Sequence, residues 1–314
     1  MYTRGTMERN VLRLGTRQSP LALAQSREVA TALEERHPEL SVELVPIVSR
    51  GDREPGQLAE IGGKGLFTQE LEAGLLDGSL DLAVHSLKDL PVNTRDGLAV
   101  VAHPRRADPR DALVSEVAAD LDALPAGSEL LTGAMRRQAQ ILHRRPELEV
   151  TPLRGNINTR LRKWRERGSA GLVLALAGLD RMRHDATFDE LPIYPLDPEV
   201  MIPAPGQGTL ALQVRAGGPA AEPCAAIDHP ETTRAAVAER RIVAAFGGDC
   251  TLPLAAWARE ADGGLRLTAM IATPDGRRAA FGEATAAEPE EVAEACLEQM
   301  RADGAEEILA ELRG

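Results

Sequence analysis

Three observations predict an α/β fold in three domains. Short apolar runs of strand length alternate with stretches whose apolar residues recur at helical spacing. At 314 residues the chain is too long for one core. Two proline-punctuated segments, residues 103–110 and 191–208, read as crossings between domains. A chain that crosses out near residue 105 and returns near 205 makes two α/β lobes joined by two strands, which favours a hinged cleft. The expected domains are 1–104 with 205–222, then 105–204, then 223–314.

In chain order, residues 11–14 form a strand and 15–20 its exit loop. Ser19 caps a helix that opens on Pro20 and stops before Pro38. Arg13, Arg17 and Ser19 thus surround a strand-to-helix junction, a natural anion site. A strand at 40–49 leads to a Gly-rich loop, Ile61-Gly-Gly-Lys-Gly-Leu-Phe67. This loop is no P-loop, which needs Gly at Leu58 and Ser or Thr at Gly65. It enters a helix at 66–77, with Gly78 as its C′ residue. Leu82, Ala83 and Val84 then fill a buried parallel strand, which places His85, Ser86, Lys88 and Asp89 at its exit, where open α/β sheets bind ligands. Another strand follows at 98–102.

The second unit alternates again: strand 129–132, helix 135–145, strand 150–153, helix 156–167 and a buried run at 171–175. Arg136 and Arg137 sit in a first helical turn, where the helix dipole disfavours cations, so an anion is expected among them. In the next helix Ile157, Leu161 and Trp164 make the core stripe. Arg160, nearest the helix start, is the expected ligand contact. After a strand at 209–215, the third unit holds a helix at 230–246, strands at 265–273 and 278–283, and a helical stretch from 289. Between its first helix and the strands, Cys250 lies in a Gly-rich loop that leaves a thiol accessible.

Composition narrows the function. Apolar residues make up 43% and charged residues 27%, an ordinary soluble composition. Aromatics at 3% and a net charge of −12 exclude a base-stacking nucleic-acid platform. Yet residues 131–183 carry twelve Arg or Lys against four acids. A basic island in an acidic chain implies a polyanionic ligand. Three cysteines without C-x-x-C spacing suggest neither disulfides nor zinc, and six dispersed histidines suggest no metal site. No stretch is apolar for long enough to span a bilayer and the first residues lack a signal-peptide pattern, so a cytoplasmic location without membrane partners is expected.

Several segments together resemble the hydroxymethylbilane synthase (porphobilinogen deaminase) family: Leu14-Gly-Thr-Arg-Gln-Ser-Pro-Leu-Ala-Leu23, Gly62-Gly-Lys-Gly-Leu-Phe67, Val84-His-Ser-Leu-Lys-Asp-Leu-Pro-Val92, Asp108-Pro-Arg-Asp-Ala112, Arg136-Arg-Gln138, Leu153-Arg-Gly-Asn-Ile-Asn-Thr-Arg-Leu161, Pro203-Ala-Pro-Gly-Gln-Gly208 and the Cys250 loop. They stand in the family's order and cover nearly the whole chain. The resemblance implies two lobes like type II periplasmic binding proteins and a smaller C-terminal α+β domain. It also implies a dipyrromethane cofactor joined to Cys250 by a thioether, onto which four porphobilinogens condense head to tail with loss of ammonia. Hydrolysis then frees hydroxymethylbilane for haem and other tetrapyrroles.

Carried over by position, Asp89 is the catalytic carboxylate. Lys88, Ser19, Thr132, Arg136, Arg137 and Arg160 contact the cofactor, and Arg13, Arg17, Arg154, Arg181, Phe67 and Lys64 the substrate. The resemblance further implies a monomer that hands its product to the next enzyme of the pathway. Three departures stand out. Leu131-Thr-Gly-Ala-Met-Arg-Arg137 replaces the family's usual Gly-Thr-Ser-Ser-Leu-Arg-Arg, removing two hydroxyls at Gly133 and Ala134. Glu60 stands where a basic residue is common, and the cysteine loop reads Gly-Gly-Asp-Cys rather than Glu-Gly-Gly-Cys. Other function classes fit less. A two-lobed anion-binding module gives Cys250 no role, an effector-sensing regulator needs a DNA-binding segment that the sequence does not contain, and a nucleotide enzyme lacks its phosphate loop.

Overall fold

The computed structural model describes residues 10–47, 68–185, 188–247 and 252–313. Phe67, Lys64 and Cys250, all expected at the site, lie outside them.

Strand β1 (Asn10–Arg17) is followed by α1 (Pro20–Arg36), β2 (Leu40–Ile47), α2 (Gln69–Asp77), β3 (Leu82–Ser86), a 3-10 turn at Leu87–Asp89 and β4 (Leu98–Ala102). Next come β5 (Asp111–Val114), β6 (Glu129–Thr132), α3 (Met135–Arg144), β7 (Glu149–Pro152), α4 (Ile157–Arg167), β8 (Gly171–Ala175), α5 (Leu176–Arg181) and β9 (Ile193–Pro195). The chain continues with β10 (Leu210–Arg215), α6 (Ala221–Ala225), α7 (Pro230–Ala245), β11 (Leu254–Ala261), β12 (Gly264–Ala272), β13 (Ala279–Ala286), α8 (Pro289–Ala302) and α9 (Ala305–Arg313).

Two compact units result. One is Met1–His85 with Asn93–Arg105 and Leu210–His229, and the other is Ser86–Val92 with Arg106–Thr209 and Pro230–Gly314. The second therefore holds residues 106–204 together with most of those expected as a third domain.

In the first unit the sheet order is β2-β1-β3-β10-β4. β1 runs parallel to β2 and β3, and β10 antiparallel to β4. The Ser19 hydroxyl accepts the Ala22 N–H and Pro20 opens α1, as the capping signature requires. The helix turns Val29, Ala30 and Leu33 onto Leu12, Leu14 and Leu82 of the sheet. Full burial of the valine and leucine side chains among them contributes about 1.5–3 kcal/mol each. Gly78, at φ 79°, ends α2 in the left-handed conformation. β1 extends three residues beyond the expected strand, because Gly15 is a packing glycine rather than a loop glycine. A Cβ there would stand 2.5 Å from Leu80 Cδ1.

The second unit contains a sheet of order β7-β6-β8-β5-β9 and a separate antiparallel sheet, β11-β12-β13. β6 is parallel to β7 and β8, whereas β5 runs antiparallel to β8 and β9. Helices α7, α8 and α9 cover one face of the small sheet around Ile242, Phe246, Val292 and Ile308. Its other face meets α3 through Ala139, Ala255, Met270 and Ala272. β11 escaped the sequence reading because its Leu-Ala-Ala-Trp-Ala run is alanine-rich, and alanine is depleted in strands. Among the described residues no helix is long and apolar enough to cross a membrane.

Candidate functional site

The chain leaves β3 through the turn Leu87–Asp89, which belongs to the second unit. Leu87 is buried and its N–H donates to Thr209 O at 3.0 Å. It also presses on Gly206, which sits at φ 73° and where a Cβ would lie 2.9 Å from Leu87 Cγ. With Leu87 fixed, the next two side chains diverge. Lys88 is half-buried and donates from Nζ to Gln207 Oε1 at 3.3 Å, while Asp89 is exposed. Burial pushes the Lys88 ammonium down to about 8; Asp89 opposes the shift, and the Arg137 and Arg136 guanidinium groups add to it.

Beneath Lys88 lies a fully buried carboxylate, Asp111, at the head of β5. Arg136 donates to it from Nη1 and Nη2 at 2.6 and 3.0 Å, and Arg137 from Nε and Nη2 at 3.1 and 2.8 Å. The Gln207 amide donates to the same carboxylate at 2.8 Å, while Gln207 Oε1 accepts from Arg136 Nη2 at 3.1 Å. Burial alone raises a carboxyl pKa, but the two guanidinium groups reverse this and hold Asp111 well below the usual carboxylate range. Gln207 thus bridges Lys88 and the Asp111 cluster.

This corrects one expectation. The anion demanded by two arginines in the first turn of α3 is supplied by the chain itself, from β5. Arg136 also donates to Ile202 O at 3.1 Å, and Arg137 to Val173 O at 3.0 Å. The bonds of Arg137 use three of its five N–H groups, so it retains donors for a ligand. The helix start itself has no side-chain cap.

Thr132 ends β6, buried, with its hydroxyl accepting the Ala134 N–H at 3.4 Å. Arg160 is half-buried in the first turn of α4 and donates from Nε to Gly155 O at 2.7 Å. Its guanidinium fills the space over Gly133, where a Cβ would lie 3.4 Å from Arg160 Cζ and 2.6 Å from Leu153 O. Burial lowers the Arg160 pKa and the charge of Asp89 opposes that, which places the two within electrostatic reach. Arg154 is exposed, with no acidic partner among the described residues. Arg181 closes α5 and donates to Gly208 O at 3.4 Å. Lys88, Asp89, Thr132, Arg136, Arg137, Arg154, Arg160 and Arg181 therefore share one unit.

In the first unit Arg17 ends β1 and Ser19 caps α1, both at the carboxyl end of that strand. Arg13 does not join them. Its Nε and Nη2 make a bidentate pair with Asp81 at 3.0 Å each, and Nη2 also bonds Gly78 O at 2.7 Å. Asp81 precedes β3, so Arg13 is engaged at the opposite end of the sheet from the turn's attachment to β3, and its assignment to substrate is withdrawn. Among the described residues no cluster of three or more side chains could hold a metal ion.

Sequence reasoning quoted the segments holding Asp111 and Gln207 without giving either a role. The available signal was an acid heading a wholly buried strand, which requires cationic partners.

The family model described as "Porphobilinogen deaminase, dipyromethane cofactor binding domain" matches residues 12–222, and "Porphobilinogen deaminase, C-terminal domain" matches residues 233–302. Among solved structures, the chain is similar to the reduced regulatory domain of OxyR2 from Vibrio vulnificus, at 16% identity over 71% of this chain and 98% of that one, with a TM-score of 0.40. It is also similar to the methionine binding protein MetQ, at 13% identity over 72% and 93% with a TM-score of 0.43. A further similar structure is the periplasmic aliphatic sulphonate binding protein SsuA from Escherichia coli, at 17% identity over 75% and 70% with a TM-score of 0.38. With the two family models spanning most of its length, the chain belongs to the porphobilinogen deaminase family.

Proposed function

We propose that Asp89 is the catalytic carboxylate of this chain, that Cys250 carries the dipyrromethane primer through a thioether, and that Lys88, Arg137 and Arg160 hold carboxylates of the growing chain. As a member of its family the protein is a transferase of tetrapyrrole biosynthesis. It joins four porphobilinogens head to tail with release of ammonia and yields hydroxymethylbilane after hydrolysis.

The observation that carries the reading is the setting of Asp89. An exposed carboxylate stands on a turn braced from below by Leu87 and Lys88, with Lys88 and Arg160 supplying positive charge beside it. Loss of ammonia from porphobilinogen leaves an electron-poor ring, and attack on it develops positive charge on pyrrole nitrogen. A fixed carboxylate stabilises that charge and relays the protons. Lys88 and Arg160 are themselves suited to the acetate and propionate groups of each ring.

The donor set fits the primer. Arg137 has N–H groups to spare, α3 offers uncapped backbone N–H groups, and Thr132 and Arg160 flank them. When bound, the primer would supply the terminal pyrrole carbon to which the first ring is joined. Arg136, four of whose N–H groups are engaged, acts here by holding Asp111 and Gln207 rather than the ligand.

Ser19 as a further cofactor contact, and Arg17, Arg154, Arg181, Lys64 and Phe67 as substrate contacts, belong to the same proposal. The two larger sheets share one strand order, 2-1-3-n-4 in local numbering, with an antiparallel strand arriving from elsewhere in the chain. This supports reading them as lobes of the type II periplasmic-binding kind. A cytoplasmic monomer that hands on its product belongs to the same proposal.

Asp89→Asn tests the central residue. The variant is expected to bind porphobilinogen while turnover falls by about 10²–10⁴-fold. Near-normal turnover refutes the role.

A further inference from the structure

The segment after Asp89 is held by a residue to which the reaction has so far given no role. Arg240, on α7, donates from Nη1 to Leu90 O at 3.2 Å and from Nη2 to Pro91 O and Val92 O at 2.7 and 2.8 Å. Three consecutive carbonyls immediately downstream of the catalytic carboxylate thus end on one planar fork, a geometry that lysine, a point donor, does not reproduce.

Arg240 is half-buried, and among the described residues no carboxylate faces it. Burial accordingly lowers its pKa with nothing to oppose the shift. An ion pair does not account for its position; the carbonyl clasp does.

The preceding residue works in the same direction. Glu239 is fully buried and accepts from Arg106 Nη1 and Nη2 at 2.7 and 3.1 Å, from Gly206 N at 2.6 Å and from Ala258 N at 2.8 Å. Gly206 is the residue on which Leu87 of the turn packs. Helix α7 therefore fixes the turn on both sides, through Glu239 and Gly206 before Asp89 and through Arg240 after it. The same helix ends at Ala245, five residues before Cys250 in sequence.

We propose that Arg240 is a positioning residue that ties the Asp89 turn to helix α7, so that the carboxylate takes its place from a rigid element. The inference rests on the role given above to Asp89.

Arg240→Ala, compared with the parent and with Asp89→Asn, tests it. The expected variant carries the primer mass and keeps its KM for porphobilinogen within about threefold. Its kcat falls by about 10²-fold, the scale of an ångström misplacement. Hydrogen exchange speeds up at the Leu90 amide, which donates to Leu87 O. Added guanidinium ion restores part of kcat in Arg240→Ala and none in Asp89→Asn. Should the alanine variant fail to fold, Arg240→Lys keeps the charge and the stem, and the same loss of kcat with faster exchange is expected. A folded variant with unchanged kcat, or one that loses kcat with unaltered exchange across residues 87–92, overturns the proposal. Failure of the underlying reading is seen separately, as normal turnover in Asp89→Asn.

Discussion

Lys88 and Asp89 are adjacent in sequence yet stand in different surroundings, and the difference sets a pH response. The Lys88 ammonium titrates at about 8 rather than at lysine's ordinary 10.5. Its attraction for a ligand carboxylate is therefore full below pH 8 and fades as the pH rises through it. Affinity for porphobilinogen is expected to fall above about pH 8 in the parent, and Lys88→Arg, which stays charged, moves that fall upward. Pre-steady-state binding measured from pH 6 to 9.5 checks this, and identical profiles for the two proteins contradict it. For folding the sign is opposite: a lysine whose folded pKa is lowered costs stability at neutral pH, and that cost is relieved between pH 8 and 10.5. Asp111 behaves as a depressed carboxylate. The stability it contributes is present above the usual carboxylate pKa and is lost only as the pH falls below that range. The exit of a buried strand made the Lys88 and Asp89 pair legible in the sequence. The Arg13 error arose because Arg13 and Arg17 lie on one face of β1 but about 13 Å apart along it, at four residues of extended chain. A strand pattern gives the face, not which end a side chain serves.

Helix α3 shows the same limit among elements. Its amphipathic run and its end before Pro146 could be read from sequence, whereas its docking could not. The β12–β13 turn lies against it: Gln138 donates to Pro274 O at 3.1 Å, and His143 Nδ1 meets Gly276 O at 2.8 Å. Gly276 sits at φ 70°, and a Cβ there would lie against His143 N and 2.6 Å from Ala139 O, both backbone atoms. Gly276→Ala is expected to destabilise the second unit by about 1–3 kcal/mol, from left-handed strain and the loss of this close approach. Denaturant unfolding checks it; a midpoint unchanged from the parent contradicts it. Such a contact joins residues more than 130 apart, and no local periodicity encodes it. β11 was hidden for another reason, since its alanines fit a narrow space against α7 without a strand's usual β-branched signature.

Over the whole chain the basic island is less bare than composition implied. Asp122 takes Arg144, Glu129 takes Arg167, Glu147 takes Arg145, Glu166 takes Arg162, and Asp111 takes both Arg136 and Arg137. The Arg167 bond, against some burial, draws Glu129 down to about 2. Three of these acids come from outside the 131–183 span, so a window count could not find them. What remains of the island for a polyanionic ligand is a smaller set led by Arg154 and Arg160, with donors left on Arg137, and Lys88 adds to it from outside the span. The alternation of strands and helices and the proline-rich crossings made three sheets legible. Their grouping into two units, with the small sheet packed on α3, depends on tertiary contacts that no single segment announces. The central claim is covalent, and the intact mass of the purified protein beside a Cys250→Ser variant tests it most directly. A surplus equal to two deaminated porphobilinogen units, absent from the variant, is the expected result. An unmodified mass that stays unmodified after incubation with porphobilinogen would contradict it.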